Sequence, residues 1–313
     1  MLIRNRLEDL PALGLPLHLA LGVFDGVHTG HQAVIARAVD AAARDGGLAG
    51  VLTFDPHPIR VIAPAKAPTA LLETLNHKAR VMEKLGVQLF IPLHFDIEFA
   101  QMEASEFISK LTSAPVKTIA VGEDWRFGHH RSGDVNFLHQ ESARRSFKLE
   151  AVTPVMHDGE RVSSTRIRQA IRDGNLVAAE QMLGRPYSVT GKVIEGQKLG
   201  RTIGFPTANL ATGEAQLPPD GVWAVQALLQ DGRNLPGVAN LGLRPTLGGD
   251  SRSLEVHLLD FSGDLYNQEF EIRFQKHLRP EIKFSSLESL RIQIQRDADE
   301  ARQILSKQSK SPT

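Results

Sequence analysis

LHLALGVFDGVHTGHQAVIARAVD, residues 17–40, passes from an apolar run through a glycine-punctuated loop into a helical pattern. The run 17–23 has the texture of a strand buried on both faces. From Thr29 onward Val34, Ile35, Ala38, Val39 and Ala42 fall on one helical face, and Gly46 stands where that helix should stop. Strand, tight loop and helix in this order make the opening half of a βαβ unit.

The rhythm continues through the first half of the chain. Apolar runs at 47–54, 87–93, 116–122 and 147–155 read as further strands, with ASEFISKL (104–111) as a helix between the third and fourth runs of the series. Alternation of this kind predicts right-handed crossovers and a Rossmann-like parallel sheet with helices on both faces. Ligands of such sheets bind at the carboxyl ends of strands, and polar motifs follow residues 23, 54, 122 and 155. STRIRQAIRDGNLVAAEQMLG (164–184) reads as two short helices broken at Gly174-Asn175.

Gly184-Arg185-Pro186 is a natural boundary and divides the chain into 1–184 and 185–313. Beyond it the texture changes: 12 of the 26 glycines lie in 185–280, between short alternating runs. SVTGKVI, VWAVQALL, NLPGVANL, SLEVHLLDF and EFEIRFQKHL have hairpin-like spacing and predict a small antiparallel β-barrel. A long C-terminal helix follows, with Ser285 and Glu288 as a capping box and Leu287, Leu290, Ile294, Ala298, Ala301 and Leu305 along one face. The tail KQSKSPT (307–313) is expected to be disordered.

Composition narrows the possible functions. Thirty-six basic residues balance 36 acidic ones, which gives nucleic-acid binding no electrostatic support. The absence of cysteine excludes disulfides, thiolate metal sites and a cysteine nucleophile, and it fits a reducing cytoplasm. No run approaches about 18 uninterrupted apolar residues, so a soluble protein with no membrane partner is expected. Monomer and homo-oligomer are both compatible with this sequence.

Four stretches of the first half carry chemistry. No G-x-x-x-x-G-K-[ST] is present, so a nucleotide would be held without a Walker loop. In FDGVHTGHQ (24–32), Gly22 just upstream and Gly26 let the backbone approach a ligand, and a helix starting near Thr29 aims free N–H groups at the same place. His28 and His31 there are phosphate donors, plain helix-start residues or metal ligands. Metal is the weakest of these readings, because helical ligand pairs lie four apart with a third ligand nearby. His57, between two prolines, is a structural histidine or a loop ligand. VGEDWRFGHHRSGD (121–134) is a stacking and hydrogen-bonding loop or a plain surface loop. RVSSTRIR (161–168) places hydroxyls at a helix start amid arginines, which makes either a phosphate clamp or an N-capped basic helix.

In the second half Thr207 and Asn209 lie two apart on an extended segment and present oxygens to one side, as a hard cation such as Mg²⁺ requires. A hairpin with a polar edge accounts for them equally. Glu255 and His257 share one face of their strand and Leu254, Val256 and Leu258 the other. A glutamate at a barrel mouth is a general base, or a solvated strand residue.

GVFDGVHTGH (22–31), TFDPHP (53–58), VGEDWRFG (121–128) and SSTRIR (163–168) occur in the order found in bacterial bifunctional riboflavin kinase/FMN adenylyltransferases. The second half resembles their kinase module in GQKLGRTIGFPTAN (196–209), GVWAV (221–225), GVANLGLRPT (237–246), LEVHLLDF (254–261) and LRPEIKF (278–284). The resemblance covers about residues 17–305. It implies ATP, riboflavin and FMN as substrates and Mg²⁺ as cofactor. For adenylyl transfer it implies His28, His31 and Arg168 as catalytic residues. Gly22, Phe24, Asp25, Gly30, Arg161, Ser163, Ser164 and Thr165 would surround the ATP phosphates there, with His57, Asp124 and Phe127 at the flavin. In the kinase it implies Glu255 as base, Thr207 and Asn209 at Mg²⁺-ATP, and Gly200, Arg201 and Gly204 at the nucleotide. Trp223 stands where tyrosine is usual and Asn267 where glycine is usual. The alternatives are a single-activity adenylyltransferase on another phosphate ester, and a non-catalytic flavin or nucleotide sensor.

Overall fold

The computed structural model describes residues 1–196, 199–246 and 249–308. The chain separates into two units, Met1–Ser164 and a second beginning at Thr165.

The first unit is built on six strands: β1 (Leu2–Ile3), β2 (Leu17–Leu21), β3 (Leu48–Asp55), β4 (Leu89–His94), β5 (Val116–Gly122) and β6 (Lys148–Val152). They lie in the order β1-β4-β3-β2-β5-β6, and every pairing is parallel. Side-chain alternation along these strands separates two cores. Leu17, Leu19, Leu21, Ile119 and Val121 join one cluster with Phe107, Ile108, Leu111 and Leu138 from the helices Ala104–Leu111 and Val135–Arg145. Ala20, Val51, Phe90 and Ala120 join the other, with Val34, Ile35 and Ala38 of the helix Thr29–Asp45 and Val81 and Met82 of Leu75–Lys84. A sheet covered on both faces needs apolar residues at consecutive positions, which explains the near-continuous runs.

The chain winds from β2 outward to β4 and returns to β5 on the other side of β2. That reversal opens the crevice at the carboxyl ends of β2 and β5 where ligands of open α/β sheets bind. The edge strand β1 was not expected from the sequence. Two residues carry no period, and Leu2 and Ile3 remain exposed although they pair with Leu89 and Phe90. The strand expected over 147–155 ends at Val152. A two-residue hairpin follows, β7 (Met156–His157) and β8 (Glu160–Arg161), around left-handed Asp158 and Gly159. Asp-Gly is the turn that such a hairpin favours.

The second unit begins with the helices Ser164–Arg172, whose first residue is the last of the first unit, and Leu176–Leu183. Left-handed Gly174 (φ +73°) breaks the chain between them, and the Asn175 side chain caps the second by accepting from Ala178 N–H at 3.1 Å. A closed barrel follows, made of β9 (Ser188–Ile194), β10 (Ala208–Ala211), β11 (Gly221–Leu228), β12 (Asn234–Thr246), β13 (Gly249–Leu258) and β14 (Glu269–Arg279). The strand order is β10-β13-β12-β11-β14-β9, antiparallel throughout. Asn267 adopts φ +65°, so the turn before β14 keeps left-handed geometry without glycine.

The helix Leu287–Gln308 packs Ala298, Ala301 and Leu305 on Val222, Ala224 and Val238 of the barrel. Its expected apolar stripe is corrected at one end: Leu287 is exposed, while Leu290 and Ile294 line a cavity. The cap is corrected as well. Ser286, not Ser285, accepts from Ser289 N–H at 3.1 Å, and Ser289 Oγ accepts in return from Ser286 N–H at 3.2 Å. Glu288 is instead held by Arg291. Ser286→Ala is therefore expected to cost about 1 kcal/mol of stability, measured by denaturant unfolding, with Ser285→Ala near neutral. Residues 309–313 of the expected disordered tail lie outside the described residues.

Candidate functional sites

In the first unit, the segment from Gly22 to His28 leaves β2 and enters the helix Thr29–Asp45. Its backbone is bent tightly, with Phe24 at φ +52°, Gly26 at +84° and Val27 at +36°. Gly26 has a second reason to be glycine, since an added Cβ would meet Leu72 Cδ1 at 2.5 Å. At Gly22 a Cβ would touch the Phe24 ring at 3.0 Å, so this glycine serves the loop's own packing. Phe24 and Asp25 face inward. Phe24 is a core residue, and Asp25 Oδ1 accepts from Leu72 N–H at 3.0 Å. Both shape the loop from within.

His28 caps the helix, its Nδ1 accepting from His31 N–H at 3.3 Å. A neutral His28 in that bond carries its proton on Nε2. The His28 and His31 rings stack with centroids 3.5 Å apart at an angle of 18°, and Phe24 meets His31 edge-on at 5.2 Å. Gly30 preserves this stack, because a Cβ there would meet the His28 ring at 3.2 Å. Two near-parallel imidazoles stand at a helix N-terminus, where N–H groups and the dipole favour negative charge. Among the described residues no group of three or more His, Cys, Asp or Glu is arranged to hold a metal ion. Ser164 Oγ donates to Asp25 O at 2.9 Å, which ties Ser164 to this loop. Ser164 and Arg168, four apart, share one helical face, and Thr165 is exposed. Ser163 is half-buried just before the helix.

At the neighbouring strand ends, His57 caps the short helix Pro58–Ile62 by accepting from Ile59 N–H at 3.3 Å. Asp124, after β5, is paired with Arg161 of β8. The Arg161 hydrogen bond holds the Asp124 carboxyl below the usual carboxylate range. Arg161, expected among phosphate ligands, is thus engaged by a residue expected at the flavin. Phe127 is buried in the core, covered by Trp125 stacked at 4.4 Å and 15°. Trp125 presents the outer aromatic face. Local sequence does not tell which of the two rings lies outside.

In the barrel, β10 lies between β9 and β13 and sets Asn209 opposite Glu255. Thr207 Oγ1 donates to Glu255 Oε2 at 3.3 Å. His257, two residues on, holds the Pro206 carbonyl at 2.8 Å from Nδ1 and fixes the segment entering β10. Asn209 Oδ1 is buried with no hydrogen-bond partner among the described residues. Such an oxygen costs about 1–3 kcal/mol unless something satisfies it. Gly196 allows the close approach, because a Cβ there would overlap the Asn209 side chain.

Two cavities meet at Thr207. One, of about 390 Å³, is lined by Glu255, His257 and Asn240 and by the apolar Phe205, Val222, Phe284 and Ile294. Its wall includes Arg279 and the buried Asp297, joined by a two-point ion pair at 2.8–3.1 Å. The other, of about 300 Å³, is lined by Arg201, Pro206, Ala208, Asp264 and Tyr266. Gly200 must be glycine because a Cβ would meet Phe205 O at 2.3 Å, and Gly204 takes φ +89°. Trp223 is buried, and its indole N–H donates to Pro219 O at 3.0 Å, so it acts in the barrel's packing.

A parallel sheet with paired histidines at its switch point and a barrel with two adjoining cavities make a protein of two units, each with its own candidate site. The FAD synthetase family model matches residues 15–166 and the riboflavin kinase model residues 183–305. The bifunctional riboflavin kinase/FMN adenylyltransferase of Escherichia coli K12 is 41% identical over 91% of this chain and 91% of its own length. The Bacillus subtilis protein described by the same words is 35% identical, covering 90% of each. A Streptococcus pneumoniae crystal structure described as a macrolide-efflux protein is 30% identical with a TM-score of 0.83, covering 96% of this chain and 98% of that one. That description belongs to the other protein; no helix among the described residues here is long and apolar enough to cross a membrane. The chain belongs to the bifunctional riboflavin kinase/FMN adenylyltransferase family, with the FAD synthetase domain N-terminal and the riboflavin kinase domain C-terminal.

Proposed function

We propose that the chain makes FAD from riboflavin in two ATP-consuming steps, the first at Glu255 and the second at the His28–His31 edge. The observation that carries the reading is the group of Thr207, Asn209 and Glu255 where the two barrel cavities meet. In the kinase step the cavity lined by Phe205, Phe284 and Ile294 takes the flavin ring and the second takes the nucleotide, so the reacting groups meet beside Thr207. Glu255 accepts the proton of the ribityl 5′-hydroxyl as its oxygen attacks the γ-phosphorus. The bond to the β–γ bridging oxygen breaks, and ADP leaves.

Thr207 Oγ1 and Asn209 Oδ1, which has no hydrogen-bond partner among the described residues, would supply oxygen ligands of the kind Mg²⁺ takes beside phosphates. Bound there, Mg²⁺ would neutralise phosphate charge. A sensor has no need of a base at this junction, which favours an enzyme.

In the second step a phosphate oxygen of FMN attacks the α-phosphorus of another ATP, and pyrophosphate leaves. The nucleophile is already an anion and needs no base. His28 and His31 hold the polyphosphate in line and stabilise charge moving onto the leaving group. Trp125 and the Asp124–Arg161 pair form the flavin side. Adenylyl transfer is assigned to residues 1–184 and kinase activity to 185–313, in a cytoplasmic setting that supplies ATP. Purified protein given riboflavin, ATP and Mg²⁺ is expected to form FMN and then FAD, resolved by chromatography over time. Unchanged riboflavin would overturn the reading.

A further inference from the structure

Lys78 is a buried cation to which the two steps above give no task. It lies on the helix Leu75–Lys84 and is 7% exposed. Its Nζ donates to Val23 O at 2.9 Å, and Thr53 Oγ1 donates to the same oxygen at 2.8 Å. Val23 stands where the chain leaves β2 for the histidine loop. The next residues hold strained geometry, with Phe24 and Val27 both left-handed without being glycine. Such conformations persist only where surrounding contacts over-determine them.

Side-chain anchors that do so include Lys78 and Thr53 on Val23 O, Asp25 on Leu72 N–H, Ser164 on Asp25 O and Gln32 on Val27 O. Among these Lys78 is the cationic anchor. Burial pushes its ammonium below the usual lysine range, opposed by Glu73, Asp25 and Asp55. Packing alone does not call for this residue, since methionine fills similar space without desolvating a charge.

We propose that Lys78 is a positioning residue for adenylyl transfer, clamping the Val23 carbonyl so that the loop presents His28 and His31 to the polyphosphate. The proposal rests on the reading that FMN is adenylylated at this loop. It deepens that reading by assigning the loop's geometry to a residue from a different helix, which touches no substrate.

The test is Lys78→Met, with Thr53→Val as a second variant that removes the other donor without changing charge. Conversion of riboflavin to FMN by the same sample reports an intact chain. In Lys78→Met, kcat for FMN to FAD is expected to fall about tenfold to a hundredfold, the loss of a charged hydrogen bond. The reverse reaction from FAD and pyrophosphate falls by a similar factor, while KM for ATP stays within about threefold. Lys78→Arg restores part of the rate. Thr53→Val lowers the same kcat severalfold, with the kinase step unchanged.

A folded Lys78→Met protein that makes FAD at the wild-type kcat would overturn the proposal. Should Lys78→Met lose both activities, Thr53→Val decides, and undiminished FAD formation there overturns it equally. His31→Ala separates the two levels. FAD synthesis surviving in His31→Ala overturns the site reading itself, whereas loss there with full activity in Lys78→Met overturns only the role of Lys78.

Discussion

Glu255→Gln is expected to abolish the conversion of riboflavin to FMN while supplied FMN is still converted to FAD. Glutamine keeps the length and shape of the side chain, and its amide oxygen can still accept from Thr207, 3.3 Å away in the native protein. Strand β13 and its pairing with β10 are therefore retained. What disappears is the capacity to take a proton, which for a positioned general base is worth about 10²–10⁴-fold in rate. Chromatography of flavins with riboflavin as sole flavin substrate measures the first step, and with FMN the second. Loss of both would show that Glu255 acts on something shared by the two halves.

The second large effect is expected at His31. Replacing one preorganised donor to developing charge costs about 2.7–4 kcal/mol, or about 10²–10³-fold in kcat. His31→Ala should impose that loss on FMN to FAD and leave riboflavin to FMN intact. His31 is a cleaner probe than His28. The cap of the helix Thr29–Asp45 uses the backbone N–H of residue 31 and the side chain of residue 28, so alanine at 31 preserves it. Alanine at 28 would remove donor and cap together, and a fall in activity would be mixed with about 1 kcal/mol of lost helix stability.

Much of this arrangement is written locally in the sequence. The strand–loop–helix of 17–45 is legible because a strand buried on both faces and a one-faced helix have different periods. SLEVHLLDF is legible for the same reason: burial alternates along it, with Leu254, Val256 and Leu258 inside and Glu255 and His257 on the other face. Asn267 illustrates a departure from family habit that the backbone absorbs, since asparagine is among the residues that tolerate left-handed geometry.

What was not legible depends on distance or on very short elements. β1 and the β7–β8 hairpin have two residues per strand, too few for a period, although Asp158-Gly159 did carry the hairpin signal. The helix cap shifted by one residue because adjacent serines offer equivalent hydroxyls, and Ser286 is the one in register with Ser289. The left-handed turns at Phe24 and Val27 have no local signature. Their anchors include Thr53, Leu72, Lys78 and Ser164, residues 30 to 139 positions away from their partners. Arg161 is paired with Asp124 on a different strand end, a contact that its neighbours in sequence do not announce.

The central claim is that one chain carries two separate phosphate-transfer sites. Its most direct test gives Glu255→Gln and His31→Ala proteins each riboflavin or FMN with ATP and Mg²⁺, and separates the flavins over time. The account predicts a crossed pattern: Glu255→Gln makes FAD only from FMN, and His31→Ala makes FMN from riboflavin but no FAD. If both variants lose the same step, the two-site account is contradicted.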